Sequence, residues 1–171
     1  HAEFVTELFK QEVPEINEGV IEIKKIVRDP GLRTKIAVLS NDSNVDPIGS
    51  MVGMRGSRIQ HVIKELNNEK IDILFHAEDP FELLQNALHP IEPIKIELND
   101  DESKVSIVVK DEDYPAILGK WGSNARLIGN LVGIEIQVVK ETIYHKTELI
   151  IRKEIADSDN PALDEKIIKI E

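Results

Sequence analysis

Two glycine pairs, "GMRG" at Gly53–Gly56 and "GKWG" at Gly119–Gly122, lie 66 residues apart, and each precedes a run with helical apolar spacing. At that offset Val52 falls on Leu118, Ser57 on Ser123, Val62 on Ile128 and Leu66 on Val132. A chain that repeats itself at this distance is expected to fold as two copies of one supersecondary unit. With 171 residues, each copy has about 65–75, near the lower limit for a self-supporting core. The 41% hydrophobic content supplies that core.

The element order can be followed through both copies. "EFVTELFKQEVPE" puts Phe4, Val5, Leu8 and Phe9 on one helical face, stopped by Pro14. "VIEIKKIV" and "RTKIAVLS" alternate as strands about the turn "RDPGL". The loop "NDSNVDPIGS" enters a short helix at Pro47, the glycine pair follows, Ile59, Val62, Ile63 and Leu66 mark a second helix, and "KIDILF" closes as a strand. The second copy opens at Asp79-Pro80-Phe81-Glu82, a cap with proline in the first turn, and Phe81, Leu84 and Leu88 give its face. "PIKIEL", "KVSIVVK", a short helix from Tyr114, a helix with Leu127, Ile128, Leu131 and Val132, and the strand "IEIQVV" complete it.

The predicted fold is therefore α+β: two modules, each a three-stranded sheet with helices packed on one face. They span residues 1–77 and 78–140, with 141–171 as an extension or linker in which "TELIIRKEI" adds a strand or helix and "ADSDNPALDEK" is solvated. Only "HAEDP" separates the copies, which predicts a tightly packed, rigid pair.

Composition narrows the function. The chain has no cysteine, so disulfides and thiolate metal sites are excluded and a reducing compartment fits. No apolar run approaches the roughly 18 residues of a membrane span. The start "HAEFVTELFK" lacks the shape of a signal peptide and an initiator Met, and the chain is expected to be part of a longer protein. A net charge of −11 argues against non-specific duplex DNA binding but leaves room for a local basic groove. Asp42, Asn44 and Asp46 open like a calcium loop, but Pro47 and Gly53 stand where glycine and glutamate are required, so no metal site is expected. His61, His76, His89 and His145 have no ligand spacing, and no Walker, Ser-His-Asp or Cys-His arrangement occurs, so neither catalysis, a cofactor nor a small-molecule substrate is expected.

A glycine turn at a helix start exposes backbone N–H groups and admits another backbone closely, as phosphate binding requires. Each turn holds one cation, Arg55 or Lys120. Here the chain resembles the KH family, RNA-binding modules whose Gly-x-x-Gly loop clamps about four nucleotides of single-stranded backbone. The element order resembles the type II fold. "EVPEI", "RTKIAV", "NVDPIG", "RGSR" and "GSNARL" further resemble the tandem KH region of the NusA family of bacterial transcription factors, over roughly residues 1–140. Met54 and Trp121 are larger or less polar than is usual at those loop positions, and Ser123 stands where glutamine is common.

The resemblance implies binding to single-stranded nascent RNA in the cytoplasm. It also implies association with RNA polymerase and other elongation factors through the full-length protein, and modulation of pausing, termination and antitermination. The residues it places at RNA are Gly53, Met54, Arg55, Gly56, Ser57 and Arg58 in the first copy. Those in the second are Gly119, Lys120, Trp121, Gly122, Ser123, Asn124 and Arg126. Arg33 and Lys35 are added as groove cations. A cation in a first helical turn opposes the helix dipole, and a bound phosphate would remove that penalty at Arg58 and Arg126. The competing reading is a protein-interaction scaffold whose acidic surface docks on polymerase or other factors and whose RNA site is weak or vestigial.

Overall fold

The computed structural model describes residues 1–157. In the first module, α1 (Ala2–Glu12) and a short α2 (Pro14–Asn17) precede the hairpin β1 (Ile21–Asp29) and β2 (Arg33–Ser40). Then come α3 (Pro47–Val52), the glycine turn, α4 (Ser57–Glu65) and β3 (Lys70–Phe75). The second module repeats this as α5 (Pro80–Leu88), β4 (Lys95–Leu98), β5 (Lys104–Val109), α6 (Tyr114–Leu118), the turn, α7 (Ser123–Val132) and β6 (Glu135–Lys140). The extension forms a helix, α8 (Glu141–Ala156); the segment read as a solvated linker lies mostly outside the described residues.

Each sheet has its middle-numbered strand at the centre, antiparallel to the strand before it and parallel to the one after. The parallel pairing follows from the helical crossover between the last two strands, which returns the chain to the same end of the sheet. That leaves β3 and β6 as open edges beside the helices that follow the glycine turns.

Alternation along the central strands assigns their faces. Ile36 and Val38 join Val5, Phe9, Val13, Met51 and Val62 in the first core. Val105, Ile107 and Val109 join Leu84, Leu88, Ile117 and Ile128 in the second. The opposite face of the first sheet is also covered. There Ala37 and Leu74 pack with Ala77, Leu83 and Leu131, so α5 and α7 of the second module lie on the first module's sheet. The methyl side chain of Ala37 lets α7 approach. Lys25 Nζ donates to the Leu131 carbonyl at 3.1 Å, Asn86 Nδ2 to the Phe75 carbonyl at 3.0 Å, and Arg126 pairs with Asp29 at 3.2 Å. The apolar centre and polar margin of this seam support the expectation of a rigid pair. On the second sheet the equivalent face belongs to α8, where Lys95 Nζ donates to Tyr144 Oη at 2.8 Å.

Two aromatic assignments are corrected. Phe4 and Phe81, read as core-facing, are half exposed. The buried stripe of α1 runs through Val5 and Phe9, leaving Phe4 one position off the face. In α5 the burial is two-sided, Leu83 entering the seam and Leu84 and Leu88 the second core, and Phe81 stays half exposed in the first turn.

Candidate nucleic-acid interface

The two glycine turns have the same backbone conformation. Gly53, Arg55 and Gly56 have φ/ψ of 77°/172°, 53°/29° and 76°/15°; Gly119, Trp121 and Gly122 have 72°/176°, 54°/29° and 73°/12°. Four positive-φ glycines are what make this path affordable to an L-polypeptide. The glycines differ in what else they do. A Cβ on Gly53 would lie 2.9 Å from the Arg58 backbone nitrogen, and one on Gly119 would lie 2.9 Å from that of Asn124. A Cβ on Gly122 would meet nothing within 4 Å, and one on Gly56 only Gln60 Cγ at 3.8 Å and Ile59 Cγ2 at 3.9 Å. The first glycine of each pair is therefore fixed by packing, while the second faces open space.

No side chain caps α4 or α7, so the first N–H groups of both helices lack a side-chain acceptor where they adjoin that space. Each turn also presents one cation and one large apolar side chain, in opposite order: Met54-Arg55 and Lys120-Trp121. Met54 is 85% exposed and Trp121 78%, and Lys120 Nζ sits 4.3 Å from the centre of the indole ring.

The remaining expected site residues divide. Arg58 and Asn124 occupy equivalent positions and do equivalent work. Arg58 Nη1 donates to the Ser50 carbonyl at 2.8 Å, and Asn124 Nδ2 to the Ala116 carbonyl at 3.0 Å, each tying the short helix to the long one. Arg58 also pairs with Glu15 at 3.0 Å, and Arg126 faces Asp29, so carboxylates of the protein itself oppose these two cations. Arg33 and Lys35 both line a cleft but converge on Asp72: Arg33 Nη2 reaches Oδ1 at 3.0 Å and Lys35 Nζ reaches Oδ2 at 2.8 Å. Burial lowers the Lys35 pKa, with Arg33 adding to that, against the pull of Asp72. For Asp72 burial raises the pKa, and the bonds from Arg33 and Lys35 outweigh it to give a net lowering. Ser57 is exposed and Ser123 buried.

A cleft lies beside each long helix and its edge strand; Val52, just before the first turn, lines the first cleft and Gly122 lines the second. The first cleft, about 430 Å³, has Val52, Ile59, Ile71 and Ile73 on one side and His89, Ile91, Ala116 and Asn124 of the second module opposite. The second, about 730 Å³, runs along Leu118, Ala125, Gly129 and Ile136. Ala125 occupies the position of Ile59. Gly129 admits the Ile134 carbonyl, which a Cβ there would meet at 2.7 Å. The buried Asn124 Oδ1 has no hydrogen-bond partner among the described residues and belongs to a residue lining the first cleft. The second wall of the first cleft was not legible in the sequence, because it depends on how the modules dock.

A repeated helix–strand–strand–helix–turn–helix–strand unit, with a glycine turn of the same conformation between the last two helices of each copy, defines a tandem KH protein of type II. Family models described as NusA-like first KH domain and NusA-like second KH domain match residues 1–76 and 80–146. The chain belongs to this NusA-like KH family.

Among its relatives is the transcription termination/antitermination protein NusA of Thermus thermophilus, 42% identical over 152 residues that cover 89% of this chain and 39% of that one. The proteins of the same name from Bacillus subtilis and Rickettsia conorii are 38% and 44% identical, over 96% and 81% of this chain and 44% and 28% of theirs. The chain thus spans less than half the length of these relatives. The crystal structure of APE1850 superposes with a TM-score of 0.53 at 18% identity, covering 77% of this chain and 96% of that one, a likeness of fold. Among the described residues no helix is long and apolar enough to cross a membrane.

Proposed function

We propose that this chain binds extended single-stranded RNA across both clefts. In this reading it is the nascent-RNA reader of a NusA-like cytoplasmic transcription factor that modulates RNA polymerase pausing, termination and antitermination. Polymerase and other elongation factors are reached through the full-length protein. The observation that carries the reading is the pair of turns with matching dihedrals, each leading into a helix start without a side-chain cap, near an apolar cleft. Phosphates sit against the N–H groups of those helix starts, with Arg55 and Lys120 as flanking cations, and the bases lie along the clefts.

The test is fluorescence anisotropy of a labelled 11-nucleotide RNA. Binding is expected to weaken with salt, by about 0.7 log units per decade for each phosphate held. Gly56→Asp and Gly122→Asp place a carboxylate where the phosphate sits, in a left-handed conformation that aspartate tolerates. Each is expected to weaken binding about tenfold or more, at least ~1.4 kcal/mol, with the fold intact and the melting temperature lowered by no more than a few degrees through the left-handed strain. Folded variants that bind RNA like the parent would remove the basis of the reading.

A further inference from the structure

The two modules differ sharply at one end of their sheets. In the first, Glu69, which precedes β3, is fully buried. It receives Arg28 Nε and Nη2 at 2.9 and 3.0 Å, the Gly31 N–H at 2.9 Å, and the Thr34 hydroxyl. Strand register identifies the counterparts. Arg28 pairs with Thr34 as Leu98 pairs with Val105, and Glu69 precedes β3 as Ile134 precedes β6. An ionic plug in one copy is thus an apolar trio in the other.

That trio runs from the core to the surface: Val105 is buried, Ile134 is partly buried and Leu98 is exposed. Leu98, Val105 and Ile134 line a groove of about 490 Å³ with Phe81, Leu84 and Ile96, and Phe81 and Leu98 are 51% and 52% exposed. No lysine or arginine is among its lining residues, which include Asp79 and Glu102, and the turn that bears Glu102 also carries Asp100 and Asp101. Lys104, next along the chain, pairs with Glu135 at 3.2 Å. The Gly119–Gly122 turn contributes nothing to this groove.

We infer that this groove is a docking site for a polypeptide segment carrying large apolar side chains flanked by lysine or arginine. The apolar side chains cover Leu98, Ile134 and Phe81, and the basic ones meet Asp79 and Glu102. Charge decides the occupant. RNA would set phosphates against a carboxylate rim, and a second copy of a chain of net charge −11 would bring acidic surface to acidic surface. Buried apolar area supplies affinity and the rim supplies specificity and rate.

The experiment selects displayed random 12-residue peptides against this chain, with a chain bearing Leu98→Lys as counter-target. Enriched peptides are then synthesised and titrated into methyl-labelled chain. Enriched sequences are expected to carry at least two large apolar residues beside Lys or Arg, and to shift the methyl signals of Leu84, Leu98, Val105 and Ile134. Binding is expected to fall at least tenfold with Leu98→Lys or with Glu102→Lys, both at exposed positions, while the affinity for the 11-nucleotide RNA stays unchanged. Four results would each overturn the proposal. They are no enrichment over the counter-target, peptides that shift only other signals, the RNA shifting these same methyls, and self-association without peptide that Leu98→Lys abolishes.

Discussion

Trp121 is where a single residue states most about the molecule. Its φ of 54° is a left-handed conformation that costs a bulky L-residue about 1–2 kcal/mol, and its ring gains little burial in return. The sequence already pointed this way, since a residue between two turning glycines has no core face to join. It gave no sign that Lys120 would lie over the ring. Acrylamide is expected to quench the single tryptophan's emission in the free protein and to lose access when RNA is bound. Trp121→Ala is expected to leave thermal stability within about 0.5 kcal/mol of the parent, while weakening RNA binding by about 1–3 kcal/mol, the worth of a stacked base. A blue-shifted, unquenchable emission would contradict the exposed position.

Among the elements, the hairpin of β1 and β2 is held to the start of β3 by Glu69. Burial pushes this carboxyl's pKa up, but the hydrogen bonds from Arg28, Thr34 and Gly31 outweigh it and hold it below the ordinary value of 4.5. A folded-state pKa below the unfolded one stabilises the fold above the unfolded value, and that stability is lost as pH falls through the folded value. Below about pH 4.5 the parent is therefore expected to lose stability that a Glu69→Ala variant no longer has to lose. At pH 7 the variant is expected to be about 3–5 kcal/mol less stable, because Arg28 is left without its partner. Urea titrations at pH 7 and pH 4 check both, and parallel pH dependences in the two proteins would refute the assignment. Elements of this kind were readable as strands and turns. The network was not, because its members come from residues 28, 31, 34 and 69 and meet only after the sheet is paired. Arg58 with Glu15 is the same case. The sequence shows a cation at a helix start, whereas the carboxylate from α2 that meets it is brought there only by the fold.

At the scale of the whole molecule, the seam through Ala37 and Leu131 sets the two turns at one fixed separation. An 11-nucleotide RNA is therefore expected to bind at least tenfold more tightly than a 5-nucleotide RNA, since the second contact is made without a further loss of rigid-body freedom. Ala37→Leu wedges α7 away from the sheet, and is expected to reduce that length advantage while each turn keeps its local conformation. Anisotropy titrations with both lengths measure it, and an unchanged ratio would show that the turns act separately. The repeat made two like modules legible. The docking was not, because Ala37 and Leu83 carry no mark in the sequence of facing a partner rather than their own helices.

The same seam makes the two copies impossible to exchange. The first copy offers a small-residue sheet face shaped for a neighbour's helix, whereas in the second the matching face holds Val108 and lies under α8. Reversing their order, or extending the pair with a third copy of either, would leave a helix without a seat or a seat without a helix. Despite its duplicated plan, the pair is closed to growth by shuffling, and any lengthening of its RNA footprint has to come from a different kind of domain.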